Sequence, residues 1–482
     1  MIWLIGCDLT RVIPGTLSCL SVIFCGCSKW NRFGSNLDRL TRCTYCGHSG
    51  TSTSSWRTAR PREESIVNRH CLFWLSVFVW VVSTAGVFVL CSNEAHAEEN
   101  PLTYERARVA VTGHNVNRPD PYPGMGDFGW AGNIQRLPTG DLMLVHQWGY
   151  WHSSFAEPRM IEPSLAEQWR GEGWPLDFEA PTGGRSMATF SSDNGKTWTK
   201  PRTILDLPMD DSPNALLRCQ DSTLLCFLNV QASWYGYSKA PPELAHVLSG
   251  LNTQQCVIRS EDNGMTWSEP YYFHSPGKFY ERSHAQAIQL PDGAILWATY
   301  SSDRGKLFGV IRRSDDSGKT WQIISTLHRG DKGVDEAAIA RFSDGQLIFV
   351  CRPDGGVFHS DDEGYNWSQV GQVVKSGRFK APWMSVLGDD TVVCVATLGN
   401  LHVWLSRDRG RTWTQPIPLD PSCYGYPGGF TLEDESIITS YVERGAGKST
   451  IFVIRFKVND ARDGIELLPL GEYTFDPDMD KE

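Results

Sequence analysis

Positive charge is in short supply: 45 Lys and Arg against 55 Asp and Glu leave a formal net charge of −10 over 482 residues. An acidic chain of this kind lacks the electrostatic footprint of a phosphate-backbone binder, so no nucleic-acid partner is expected. Paired metal-ligating cysteines are missing as well. Eight of the 14 cysteines lie in the first 91 residues, and six (Cys219, Cys226, Cys256, Cys351, Cys394, Cys423) are scattered through the rest, several within apolar stretches where buried free thiols are expected. Cys43-Thr44-Tyr45-Cys46 is a lone C-x-x-C without a second pair nearby, which argues against a zinc or redox centre. The acidic doublets Asp315-Asp316 and Asp361-Asp362 lack the ordered acidic ladder and closing Glu of a calcium loop. No metal and no cofactor is expected.

Long apolar runs are scarce, and the exception is residues 71–91, CLFWLSVFVWVVSTAGVFVLC, uncharged over 21 positions. Arg57, Arg60, Arg62 and Arg69 precede it and Ala95-His96-Ala97 follows. The flanks are those of a signal peptide with an Ala-x-Ala cleavage site, while the length suffices to span a bilayer. Either way the remainder is expected outside the cytoplasm: periplasmic, secreted or held at a membrane through residues 71–91. The expected organisation is an N-terminal extension (1–70) that is either a start placed too early or a cytoplasmic tail, a signal or signal-anchor segment (71–97), one large domain (98–475) and an acidic tail (476–482).

What the chain has in quantity is Gly (45), Pro (27) and Trp (19), the composition of a turn-rich all-β protein with bulky strand packing. One pattern, Ser-x-Asp-x-Gly-x-Thr-Trp, occurs five times: Ser191 to Trp198, Ser260 to Trp267, Ser314 to Trp321, Ser360 to Trp367 (with Asn366 for Thr) and Ser406 to Trp413. Its chemistry is that of a tight turn in which Asp accepts backbone N–H bonds, Gly supplies a positive φ and Trp packs beneath. Each copy is preceded by two strand-like runs joined at an Asp-Gly turn or its equivalent. These turns centre on Pro138-Thr139-Gly140, Gln220-Asp221-Ser222, Pro291-Asp292-Gly293, Ser343-Asp344-Gly345, Gly388-Asp389-Asp390 and Glu433-Asp434-Glu435. Six hairpins for five boxes predict a six-bladed β-propeller whose last box has degenerated near Glu443 to Lys448.

The turn positions 140, 222, 293, 345, 390 and 435 are separated by 82, 71, 52, 45 and 45 residues, so the first two blades carry insertions, near 149–184 and 232–251. Inserted loops on a rigid scaffold commonly shape binding sites, and these hold Trp151, Trp169, Trp174, Trp234, Tyr235 and Tyr237, either sugar-stacking platforms or small loop cores. Arg106 to Thr112 alternates like a strand that joins the last blade and closes the ring, and Ile465 to Phe475 reads as a further edge strand.

In a propeller, equivalent positions of the innermost strands encircle a central funnel. Nine residues before each turn stand Ala131, Pro213, His284, Glu336, Ala381 and Tyr426; seven after stand Gln147, Asn229, Tyr300, Arg352, Thr397 and Val442, with Glu443 next. A strand emerging from any core ends in polar residues, but that does not account for this mixture of Glu, Arg, His and Tyr.

The box resembles the Asp-box of the sialidase (neuraminidase) superfamily, over roughly residues 103–458. The resemblance implies that the boxes join the outer strands, away from the active site. It also implies site residues: Glu336-Ala337-Ala338-Ile339 through Asp344-Gly345 to Arg352 is similar to the family's Glu and Arg segment, and Tyr426-Pro427-Gly428-Gly429 to the segment carrying its catalytic Tyr. On that basis Tyr426 is the expected nucleophile and Glu336 its base. Arg352 would contact a substrate's acidic group, and His284, Tyr300 and Gln147 are further candidate substrate contacts. The family's first Arg has no counterpart in Gly129 to Ile134, nor its third in Leu398 to Leu401; its acid/base Asp has no clear match, although Glu157, Glu162 and Asp177 lie in the first insertion. The expected function is an exported exo-glycosidase of sialidase type acting on a glycan or small sugar. The alternatives are a non-catalytic carbohydrate-binding propeller, or a scaffold whose loops bind protein.

Overall fold

The computed structural model describes residues 102–113, 116–117, 128–149, 167, 184–207, 210–231, 253–273, 281–303, 305–422, 425–445 and 448–471. Residues 1–97, most of both insertions and the tail 476–482 lie outside the described residues, and with them the expected signal or anchor segment. The described residues all belong to one compact unit, 93–482. Among the described residues no helix is long and apolar enough to cross a membrane.

A single helical turn, Tyr104–Ala107, leads into β1 (Val109–Gly113). Five four-stranded antiparallel sheets follow in chain order. They are β2 to β5 (Phe128–Arg136, Leu142–Gly149, Arg185–Ser191, Arg202–Leu205) and β6 to β9 (Asp210–Arg218, Leu224–Gln231, Thr253–Ser260, Tyr271–Phe273). Next come β10 to β13 (Glu281–Gln289, Ile295–Asp303, Lys306–Ser314, Gln322–Leu327), β14 to β17 (Asp335–Arg341, Leu347–Arg352, Gly356–Ser360, Ser368–Gln372) and β18 to β21 (Lys380–Val386, Val392–Leu398, Asn400–Ser406, Ile417–Asp420). The sixth sheet contains β22 (Gly425–Thr431), β23 (Ile437–Gly445), β24 (Lys448–Val458) and β25 (Ile465–Leu468). β1 also pairs with β24, Val109 opposite Val453 and Gly113 opposite Thr450, so the start of the domain completes the last blade. The innermost strands β2, β6, β10, β14, β18 and β22 pack in succession and back onto β2: a six-bladed propeller.

All six expected hairpins form. Gly140, Ser222, Gly293, Gly345, Asp390 and Glu435 have φ between 62° and 99°, and in five of the turns the Asp carboxylate accepts the N–H two residues on, as Asp344 does from Gln346 at 3.1 Å. Each box joins the third strand of its blade to the fourth. In the third, Asp316 Oδ1 accepts the Thr320 N–H at 2.8 Å, its Oδ2 accepts the Thr320 hydroxyl at 2.6 Å, and Ser314 Oγ accepts the Gly318 N–H at 2.9 Å. The glycine does more than turn the chain. A Cβ on Gly318 would lie 2.7 Å from Leu225 of the preceding blade, and one on Gly264 2.9 Å from Met143, so each of these turns presses on its neighbour.

Buried apolar residues fall into six clusters, each shared by two adjacent blades. One joins Leu296 and Ile311 to Ile339 and Phe349; another joins Val393 and Leu405 to Tyr441 and Phe456. The core is therefore a ring of inter-blade seams, and Cys219, Cys226, Cys256, Cys351 and Cys394 are buried within it. Burial pushes the Cys219 and Cys351 thiols up to about 12, which keeps them protonated and unreactive.

Two expectations need correction. The strand expected over Arg106 to Thr112 begins only at Val109, because Arg106 and Ala107 close the helical turn. Where the decayed box was expected, Glu443 to Gly445 end β23 and Lys448 begins β24, with Gly445 opposite Lys448. The box's place, after the third strand, is taken by Asn459 to Gly464, where Asn459 Oδ1 accepts the Asp463 and Gly464 N–H groups, each at 3.1 Å. An Asn there performs the turn chemistry of Asp, so the repeat persists without its motif.

Candidate active site

Each innermost strand breaks register once with its neighbour. The irregularities lie between Ala131 and Ile134, Pro213 and Ala215, Ser283 and Ala287, Asp335 and Ala337, Lys380 and Trp383, and Gly425 and Gly428. A bulge leaves a residue unpaired and re-aims it. Here the released residues include His284, Glu336, Ala381 and Tyr426, four of the six ring positions counted from the turns. In the first two blades the count lands one residue early, because the bulges release Gly132-Asn133 and Asn214 instead of Ala131 and Pro213.

Ala381 and Tyr426 have φ of 49° and 57°, a region that costs any residue with a Cβ and is uncommon for a bulky aromatic. Gly425 makes the Tyr426 geometry possible: its φ is 104°, and a Cβ there would lie 1.9 Å from Thr397 Oγ1. The same hydroxyl accepts the Tyr426 N–H at 3.1 Å.

The Tyr426 hydroxyl donates to Glu336 Oε1 at 2.9 Å. Arg352 Nη1 donates to the same oxygen at 3.1 Å, and the Ala381 N–H donates to Oε2 at 2.9 Å. Three donors from three blades thus fix one carboxylate, with Tyr426 and the guanidinium sharing Oε1 and the Ala381 N–H holding Oε2. The Tyr426 ring is held by Trp130, at 4.1 Å between centroids and tilted 52°, and by His284, edge-on at 5.6 Å. Beyond Arg352 stands Asp335, its cross-strand partner, with Oδ2 3.4 Å from Arg352 Nε. Tyr300 hydrogen-bonds the Asp335 side chain.

Burial, reinforced by the adjacent Glu336 carboxylate and opposed by Arg352, pushes the Asp335 carboxyl up to about 6. Burial pushes the His284 imidazole down to about 4, although it lies against the carbonyls of Pro427 and Ala381; His284 is a neutral ring near pH 7 and its Nε2 has no hydrogen-bond partner among the described residues. Burial alone would ease the proton off Arg352, but the Glu336 and Asp335 carboxylates outweigh it and hold the guanidinium charged.

Of the residues singled out in the sequence, Tyr426, Glu336, Arg352, His284 and Tyr300 therefore gather at one cluster. Gln147 stands opposite Trp130 on β3 and is fully buried, and its amide atoms have no hydrogen-bond partner among the described residues. Glu157, Glu162 and Asp177 lie outside the described residues. Asp335 and Trp130 escaped the count, each standing one residue before a counted position, where a regular strand would turn it to the opposite face. The available signal for Asp335 was a carboxylate doublet heading the apolar run Ala337 to Ala340.

The funnel has a floor. Two residues beyond His284, the Gln286 amide accepts the Met384 N–H at 2.9 Å and donates to the Met384 carbonyl at 2.5 Å, bridging the third blade to the fifth. Asn133 Oδ1 accepts the Gly429 N–H at 2.8 Å and joins the first blade to the sixth.

Residues 216–438, from the second blade to the sixth, match the family described as BNR repeat-like domain. A sialidase of Bacteroides fragilis (strain YCH46) is 24% identical, over 55% of this chain and 55% of that protein. Residues 216–438 thus carry BNR-type repeats, and the chain is similar to a sialidase. The chain spans about half the length of that relative. The propeller also superposes on the NanB sialidase from Streptococcus pneumoniae with a TM-score of 0.52 at 13% identity, covering 73% of this chain and 71% of that one. A protein of unknown function from Dyadobacter fermentans gives 0.55 at 18% identity, covering 75% and 98%. These two likenesses concern the fold.

Proposed function

We propose that the funnel is the active site of a sialidase-type glycoside hydrolase in which Tyr426 attacks the anomeric carbon and Glu336 takes its proton. The observation that carries this reading is the 2.9 Å bond from the Tyr426 hydroxyl to Glu336, within the reach a general base needs. A phenol with an ordinary pKa near 10 is a weak nucleophile at neutral pH and needs a positioned base. Arg352 and the Ala381 N–H orient the carboxylate so that one oxygen faces Tyr426, and Trp130 and His284 confine the ring. Tyrosine nucleophiles set sialidases apart from most glycosidases, which use a carboxylate. The closed floor supports action on a chain end, because a glycan cannot thread past the Gln286–Met384 bridge.

A binding propeller without turnover is the second reading, and one observation favours it: Arg352 is already shared by two carboxylates, and the described segments 129–134 and 398–401 offer no further arginine for a substrate's acidic group. The export expected from residues 71–97 stays part of the proposal, and protease accessibility of the propeller on intact cells tests it. The function is tested by presenting the purified protein with fluorogenic glycosides, sialosides included, beside Tyr426→Phe. Hydrolysis abolished by the substitution supports the reading. Hydrolysis unchanged by it removes Tyr426 as nucleophile, and sugar binding without hydrolysis of any glycoside leaves the binding propeller.

A further inference from the structure

β14 opens with two carboxylates, and the register shift at Glu336 brings both to one guanidinium: Asp335 Oδ2 lies 3.4 Å from Arg352 Nε and Glu336 Oε1 3.1 Å from Arg352 Nη1. In an unbulged strand two successive side chains point to opposite faces of the sheet. The arrangement is also doubled in its phenols, since Tyr426 donates to Glu336 while Tyr300 hydrogen-bonds Asp335. The funnel thus carries two tyrosine–carboxylate pairs joined through one arginine. Activation of Tyr426 uses only one of them, and the hydrolase reading leaves the departing oxygen without a proton donor among the described residues.

Resting on that reading, we propose that Asp335, held by Tyr300 and Arg352, is the general acid that protonates the departing glycosidic oxygen. In the first half-reaction the bond from the anomeric carbon to the leaving oxygen breaks and that oxygen takes the Asp335 proton. The bond to Tyr426 Oη forms, and the phenolic proton passes to Glu336. In the second, water attacks the anomeric carbon and gives its proton to the Asp335 carboxylate, while the released Tyr426 oxygen recovers its proton from Glu336. Both carboxyl groups end as they began.

Asp335 is suited to this because its side chain keeps 17% exposure against 9% for Glu336, so it remains open to the funnel. Two carboxylates against one guanidinium leave one negative charge in excess, and a proton retained on Asp335, which stands farther from the guanidinium (3.4 Å against 3.1 Å for Glu336), relieves it. With its carboxyl pushed up to about 6, Asp335 both holds and releases a proton in the mildly acidic range. The charged and titratable groups around it are Glu336 on its own strand, Arg352 and Cys351 on β15, Tyr300 on β11 and His284 on β10, with Lys380 at the head of the adjoining β18.

A leaving-group series on the full-length protein tests the assignment, using the dinitrophenyl, methylumbelliferyl and methyl glycosides of a sugar that the wild type hydrolyses. Asp335→Asn is expected to slow the methyl glycoside about 10²–10⁴-fold, to leave the dinitrophenyl glycoside within about tenfold because that leaving group needs no proton, and to remove the basic limb of the kcat/KM profile. Tyr300→Phe deletes a hydrogen bond that favours the ionised carboxyl, so it is expected to move that limb to higher pH. Equal losses across the series, or an unmoved basic limb in Tyr300→Phe, would overturn the role of Asp335 while leaving the hydrolase reading standing. A wild type that hydrolyses none of the glycosides would remove both. If Asp335→Asn does not fold, the direction of the Tyr300→Phe shift decides.

Discussion

Glu336 is the residue on which most of the site depends, since its two oxygens accept from Tyr426, Arg352 and the Ala381 N–H. Glu336→Gln keeps the shape and removes the base, so kcat on any hydrolysed glycoside is expected to fall about 10²–10⁴-fold with the melting temperature close to wild type. Glu336→Ala leaves three donors without their acceptor and is expected to cost about 1–3 kcal/mol as well, readable by urea unfolding. His284 and Asp335 bind protons with opposite consequences. His284 is depressed to about 4 in the fold, so between its unfolded value near 6.5 and pH 4 the unfolded chain binds the extra proton and stability falls as pH drops. Asp335 is raised to about 6, so its contribution is fully present below its unfolded value near 3.9 and is lost as pH rises through 6. Relative to wild type, His284→Phe should lose less stability on going from pH 6.5 to 4.5, and Asp335→Asn should lose more; melting temperatures across that range read both.

At the scale of the element, the repeating turn and the bulge do different work. The Asp-box turn is a local device, satisfied by its own residues, and it docks its glycine on the preceding blade. Asp316→Ala removes hydrogen bonds from the Thr320 N–H, the Thr320 hydroxyl and the Lys319 N–H, and it is expected to destabilise the domain by about 1–3 kcal/mol in urea unfolding without touching activity. Because such turns depend on residue type at fixed spacing, all five boxes and all six hairpins were legible in the sequence. The sixth box was not, since Asn459 forms the turn without the motif. The bulges were legible only indirectly: counting back from the turns found His284, Glu336, Ala381 and Tyr426, and fell one residue short of the Gly132-Asn133 pair and of Asn214. An extra residue in an otherwise regular strand leaves no mark in an alternation pattern when the strand is buried on both faces.

At the scale of the molecule, six inter-blade seams are closed by one non-local pairing, β1 on β24. A variant lacking residues up to Gly113 leaves the Thr450 to Val453 edge without its partner, and it is expected to melt well below a variant that retains β1 and to associate through the open edge, as size-exclusion chromatography would show. Ring closure and blade number could be inferred from repeats because each repeat is one blade. Convergence of Tyr426 on Glu336 could be inferred only through rotational register and family resemblance, since the two lie 90 positions apart and in non-adjacent blades. Asp335 could not, because its place in the cluster depends on the bulge beside it.

The central claim is that Tyr426 is the group that bonds to the sugar, and peptide mapping by mass spectrometry after exposure to activated 2-fluoro or 3-fluoro glycosyl fluorides, chosen to match the sugar hydrolysed, tests it directly. One added glycosyl group is expected on the peptide containing Tyr426, and none in Tyr426→Phe. A glycosyl group on another residue, or full turnover by Tyr426→Phe, would contradict it.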